Sequence, residues 1–387
     1  MRRRGFFTKR LSSFLLFLAV FCLSAYTVRA NEDHKKHESD TTHVDTMHAS
    51  DTHNPENAEG HEEKFDPSEL ILEHIADGHD WHLWGHTSIH LPIILYTDKG
   101  FEFFSSGKFN HGHDVYVGKH YAYKMEHEHI KVVNAEGVID EASTKKILDF
   151  SITKNVASMF LSMIIIVLIF TSVARAYKKT EGKAPKGFQS LIEPIIIFVR
   201  DDIAKPNLGY KYARFMPFLL TIFFFIWINN IIGLVPFFPG GANLTGNIAF
   251  TLVMGLITFI VTNVNGNKSY WKHVFLPHVP LWLYPIMIPV EVIGVLSKPF
   301  ALIVRLFANI TAGHIIVLSL ISLIFIFKTI AIAPVSVGFV LFMDVLELLV
   351  AFLQAFIFTM LTALFIGTAI EEHHVEGDHQ TTDGAGH

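Results

Sequence analysis

Cysteine is nearly missing from this chain: of 387 residues only Cys22 carries a thiol. It sits inside an N-terminal apolar stretch, behind Phe21, which is too large for a lipoprotein box. If that stretch is removed, the mature chain has no thiol, which excludes disulfides and thiol chemistry. Charge is scarce too, at 17% of residues against 50% hydrophobic, with 35 Phe. A soluble protein of this length carries more charge and shorter apolar runs, so the composition describes an integral membrane protein. No GxxxxGK[ST] loop is present, so nucleotide chemistry of the P-loop kind is excluded from this chain. No nucleic-acid partner, cofactor or metal centre is expected.

What is present divides along the chain. Residues 1–30 read as a signal peptide: Arg2, Arg3, Arg4, Lys9 and Arg10 precede an apolar run, and Val28-Arg29-Ala30 is a cleavage pattern. Residues 31–66 hold eleven Asp/Glu, three Lys and six His with no aromatic before Phe65, too little apolar surface to fold. Histidines continue to His129 but without a fixed ligand spacing, which favours a polar solvent-facing segment over a metal site. Residues 67–150 carry β-branched and aromatic runs at Ile89–Tyr96 and Asp114–Gly118 with turn signals at Asp98-Lys-Gly and His111-Gly-His, predicting a small β-containing extracytoplasmic domain.

The membrane part is expected over 151–372, with spans near 156–174, 215–238, 247–262, 283–327 and 335–370. The segment Phe188–Ile203 carries Glu193, Arg200, Asp201 and Asp202 and reads as an interfacial amphipathic helix. Arg175, Lys178, Lys179, Lys183 and Lys186 follow the first span, which places that loop in the cytoplasm. The expected fold is therefore all-α and membrane-embedded, with about five spans and a long tilted C-terminal hairpin. Its N-terminus is periplasmic, and a cytoplasmic tail over 373–387 ends the chain in a bacterial inner membrane.

Arg305 lies near the centre of the longest apolar run. A charge at mid-bilayer costs roughly 2.5–3.5 kcal/mol and usually marks an ion path. Glu291, Lys298 and Arg305 recur every seven residues, so on a helix they form one polar seam drifting about 20° per step. In an antiparallel hairpin of the last two segments, one register sets Arg305 against Gln354 and His314 against Glu347, with Glu291 near the Glu371-Glu372 end. His314 lies about 180° round an ideal helix from Arg305, so either Gly313 breaks the helix or the two residues face different sides. The second arrangement is favoured because it separates two tasks. Arginine stays charged and cannot carry protons, but it favours an ionised carboxylate beside it. His314 and Glu347 can bind and release protons.

The run Leu296-Ser-Lys-Pro-Phe-Ala-Leu-Ile-Val-Arg-Leu-Phe-Ala-Asn-Ile-Thr-Ala-Gly-His314 closely resembles the signature of subunit a of F-type ATP synthases. Leu353-Gln-Ala-Phe-Ile-Phe-Thr-Met-Leu-Thr362 resembles that family's final-helix motif, and Gln189-Ser-Leu-Ile-Glu-Pro and Asn230-Ile-Ile-Gly-Leu-Val-Pro236 extend the likeness. The resemblance covers about Asn155 to Glu372. It implies a stator subunit with two proton half-channels: Arg305 as the essential arginine, Asn309 and Gln354 as its polar neighbours, Glu291 on the cytoplasmic side. Implied partners are a c-ring of small proteolipids, a peripheral-stalk b subunit, the remaining ATP synthase complex and the lipid bilayer. In some bacterial members the positions matching His314 and Glu347 carry Glu and His, so the pair is exchanged here. Asp344 and the His-rich extension fall outside the common pattern.

Two other classes compete. A stand-alone proton-coupled transporter commonly shows internal repeats, and none is evident here. A metal-ion transporter or sensor needs acidic or histidine ligands deep in several spans, whereas only the last two segments hold them.

Overall fold

The computed structural model describes residues 77–84, 87–110, 114–126, 128–134, 137–179, 184–235, 240–277, 279–327 and 332–371. The expected signal peptide, the His-rich segment and the C-terminal tail lie outside these residues.

The first described part is built from short antiparallel strands. β1 (Asp80–Trp84) pairs with β2 (Thr87–His90), and β3 (Pro92–Thr97) pairs with β4 (Gly100–Ser105) across a turn at Asp98-Lys99. β5 (Tyr116–Val117), β6 (Ala122–Glu126) and β7 (His129–Val133) form a second three-stranded sheet. A one-turn helix, α1 (Glu141–Thr144), leads to β8 (Leu148–Asp149), which closes on the other edge of β3. The β-branched run Ile89–Tyr96 forms parts of two strands, because the chain changes partner at Leu91 between β2 and β3.

Alternation along β3 sends Ile93 and Leu95 inward, where they meet Phe104, Phe109, Tyr123, Met125 and Val132. Inside this core Glu102 accepts hydrogen bonds from the Lys119 and His120 amides and from the Tyr123 hydroxyl. A buried carboxylate is tolerable only when so satisfied. Burial, then the bond to Glu102, pushes the Tyr123 phenol well above its ordinary range.

Helices follow, most of them long and apolar. They are α2 (Lys154–Lys179), α3 (Phe188–Phe198), α4 (Lys205–Leu208), α5 (Tyr212–Leu234), α6 (Ile248–Val264), α7 (Lys268–Phe275), α8 (Tyr284–Phe327) and α9 (Ala333–Ile370). Among the described residues four helical stretches are long and apolar enough to cross a membrane, or five if α6 and α7, which meet at 105°, count as one. The chain is thus a multi-pass membrane protein. The expected interfacial helix, α3, runs through a wide π-helical turn at Val199–Ala204 into α4, and a 3-10 turn at Gly209–Lys211, where Gly209 takes a φ of 53°, joins it to α5. That wide turn lets Arg200 pair with Asp201 while Val199 and Ile203 stay buried.

α9 packs along both α8 and α5, α8 also packs on α6, and α2 packs on α5. Their shared core holds Leu219, Phe223, Phe224, Ile226, Leu302, Leu306 and Phe358. Small residues let α9 approach closely: Ala351, Ala355, Ala363 and Ala369 are fully buried. This is how helices associate where lipid is as apolar as leucine.

Candidate functional site

α8 is one unbroken helix through Gly313, and two prolines, Pro289 and Pro299, are accommodated within it. Arg305 and His314 therefore point in different directions. The α8–α9 hairpin is held in register at three levels. Asn309 Nδ2 donates to Gln354 Oε1 at 3.0 Å. A Cβ on Gly313 would lie 2.6 Å from Glu347 Oε1. Farther along, the Ser336 hydroxyl donates to the Leu320 carbonyl.

Gln354 is buried, and it takes its hydrogen bond from Asn309 rather than from Arg305. Arg305 is exposed on α8, on the face that also carries Lys298, Glu291 and the exposed small residues Ala301, Ala308 and Ala312. Among the described residues it has no ion-pair partner. An exposed guanidinium within a long apolar helix calls for a counter-charge from outside this chain.

Toward the β-sheet end of the helices lies the second group. The Glu347 carboxylate rests against Gly313, with Oε1 buried and without a hydrogen-bond partner among the described residues. The His314 ring turns toward α5: a Cβ on Gly233 would be 4.0 Å from its Nε2 and 3.2 Å from the Ala242 carbonyl oxygen. Around it is a polar lining contributed by the loop before α6. Thr245 donates to Asn230 Oδ1 at 2.6 Å, and Asn230 Nδ2 donates to the Ala351 carbonyl at 3.3 Å. Thr311 donates to the Gly246 carbonyl at 3.3 Å.

At the opposite end the polar groups are different. A cavity of about 10 Å³, room for about one water, is lined by Thr258, Thr262, Asn263, Tyr270, Lys298 and Phe365. The Thr258 and Thr262 hydroxyls are buried with no hydrogen-bond partner among the described residues, two polar groups in a largely apolar lining. Tyr270 donates to Asn263 Oδ1 at 3.3 Å. Glu291 faces His273 of α7 at 4.0 Å, rather than the Glu371 end expected from the hairpin register, because α7 folds back between them.

The structure thus brings Asn309 and Gln354 together and sets Glu347 against the residue before His314. It leaves Arg305 on the outer face and Glu291 at the far end. Sequence reasoning missed Asn230 and Thr245 as lining residues and the Thr258–Thr262 cavity. Thr258 and Thr262 are one helical turn apart in an apolar span, a signal that could have been read.

Over the helical part the chain is similar in sequence to known proteins. The ATP synthase A chain family matches residues 156–367, and a domain family of unknown function matches residues 70–150. ATP synthase subunit a of Chloroherpeton thalassium is 52% identical over 235 residues, covering 59% of this chain and 69% of the relative. ATP synthase subunit a 2 of Chlorobaculum tepidum is 44% identical, covering 62% and 69%. ATP synthase subunit a of Myxococcus xanthus is 43% identical, covering 60% and 77%. The chain belongs to the ATP synthase A chain family, the subunit a of F-type ATP synthases.

Proposed function

We propose that this chain is the proton-conducting stator subunit of a rotary ATP synthase in a bacterial inner membrane. It presents Arg305 to a ring of small proteolipid subunits that each carry a membrane carboxylate, and a peripheral-stalk b subunit holds it against rotation. The carrying observation is the exposed Arg305 in the middle of the long apolar helix α8, with separate polar groups toward the two ends of the helices. Protons enter on the side of the β-sheets, which is periplasmic, and pass through His314 and Glu347 to a ring carboxylate. After nearly a full turn the carboxylate meets Arg305, whose fixed charge favours its ionised form. The released proton leaves by way of the Thr258–Thr262 cavity and Glu291. Each charge moving through 100 mV supplies about 2.3 kcal/mol for the rotation. The basic run Arg175, Lys178 and Lys179 at the end of α2 supports a cytoplasmic position for that end.

The test is Arg305→Lys in the assembled complex. Lysine is a compact ammonium that loses its proton more readily on burial, whereas guanidinium stays charged and offers five donors in a plane. The variant is expected to assemble normally and to lose ATP-driven proton pumping in inverted vesicles. Full pumping by Arg305→Lys would reject the role given to this residue.

A further inference from the structure

We infer that the β-sheet part is a clamp on the entry side of the ion path, and that Trp81 is its positioning residue. The inference rests on the function proposed above and extends it to residues outside the helical family match.

Trp81 is only 6% exposed, and its indole N–H donates to the Gly240 carbonyl at 2.8 Å, a buried bond across 159 residues of chain. The segment that carries Trp81 is itself pinned to the start of α2. Asp77 accepts from the Thr153 hydroxyl at 2.8 Å and from the Asn155 amide at 3.0 Å, and the Lys154 amide donates to the Gly78 carbonyl at 2.8 Å. Two residues before Trp81, the fully buried His79 gives its amide to Glu128 of the β6–β7 turn at 3.0 Å. Trp81 thus hangs from a rigid mount that spans both sheets and the first membrane helix.

What it holds is the loop that lines the approach to His314. Gly240 is pressed onto the end of α5, where any Cβ would strike the Val235 carbonyl and lie 2.7 Å from that of Ile232. Two residues on, Ala242 is 0% exposed and points its carbonyl at Gly233, the spot that His314 Nε2 also faces. Asn243 then folds its side chain back on the Gly246 amide at 2.9 Å, and Thr245 and Gly246 tie the loop to Asn230 and Thr311. Removing the indole N–H leaves the Gly240 carbonyl buried and unsatisfied, which drives it toward water. The next residues that must then move are Ala242 to Gly246, beside His314.

The experiment uses the complete complex in a Cys22→Ala background, so that a single introduced thiol reports. Ala242→Cys is treated from the periplasmic side with a charged, membrane-impermeant maleimide. With Trp81 present the thiol is expected to react slowly. Trp81→Phe keeps the ring and removes only the donor. It is expected to speed labelling and slow ATP-driven pumping by about fivefold each, at 1.4 kcal/mol per tenfold the worth of one net hydrogen bond of about 1 kcal/mol. Trp81→His retains a ring N–H and is expected to return both readouts toward the parent. Equal labelling and pumping in Trp81→Phe overturns the clamp. So does failure of Trp81→Phe to assemble, which would make the contact an assembly element. Equal behaviour of the Phe and His variants overturns the hydrogen bond as its cause. If instead His314→Ala pumps at the parent rate, the entry route itself is wrong, and the labelling outcome still reports on the loop alone.

Discussion

Two ionisable groups on facing helices, His314 and Glu347, form the proposed entry route and can be tested as a pair. Glu347 rests against Gly313, and His314 follows it directly on α8. Exchanging one alone, by His314→Glu or Glu347→His, places two acids or two imidazoles in one region and disfavours double ionisation. The double exchange restores one of each and is expected to recover more pumping than either single change, at equal subunit incorporation. A double variant no better than the worse single would show that the two are not coupled. The polar identities were legible in the sequence, since a charge or imidazole in a 44-residue apolar helix stands out by composition alone. Their partners were less so. The register of the hairpin followed from the spacing of those residues, but Gln354 bonds Asn309 and not Arg305. An antiparallel register fixes height along the hairpin and leaves rotation of each helix to packing.

Helices in a bilayer are brought together by shape, so glycine positions decide how closely they pass. At Gly313 an added methyl meets only the carboxylate tip of Glu347, at 2.6 Å, and a flexible side chain can swing away. Gly313→Ala is therefore expected to leave assembly intact while displacing Glu347 and lowering pumping severalfold. At Gly367 the same methyl would strike the Asn207 carbonyl, which is backbone of α4. Gly367→Ala must push α9 off α4 and is expected to reduce the amount of assembled complex. Quantifying incorporated subunit beside pumping separates the two, and loss of assembly in both variants would sink the distinction. Sequence gave no hint of this difference, because a glycine's neighbours across helices are set by tertiary approach. The π-helical turn at Val199–Ala204 was hidden for a similar reason: its residues have ordinary helix chemistry, and Val199 and Ile203 are buried at the same four-residue spacing that an α-helix would give.

At the scale of the whole molecule the β-sheet part and the membrane part meet through polar contacts, and these respond to acid. Residues 33–66 are too poor in apolar side chains to form part of a packed channel, and their removal with the signal retained is expected to leave coupled ATP synthesis intact; loss of synthesis despite normal assembly would contradict this. The junction itself centres on Glu128 and His79. Burial pushes the Glu128 carboxyl up, but the His79 ring 3.5 Å away, the hydrogen bond from the His79 amide and the Lys154 ammonium outweigh it, holding the group below its ordinary value of 4.5. A carboxyl lowered by folding stabilises the folded state when ionised, so its contribution is complete above that ordinary value. It is lost as pH falls through the lower native value, when protonated Glu128 no longer attracts His79. Hydrogen exchange of the His79 amide in the intact complex, corrected for the intrinsic effect of pH, is expected to show protection that falls in this acid range. Glu128→Gln keeps an acceptor oxygen without the charge and is expected to start with lower protection and lose little more in acid. If parent and variant lose protection in parallel, the carboxylate is not the acid-sensitive element, and the junction loosens through other groups that face it, Asp77 and Asp149 among them.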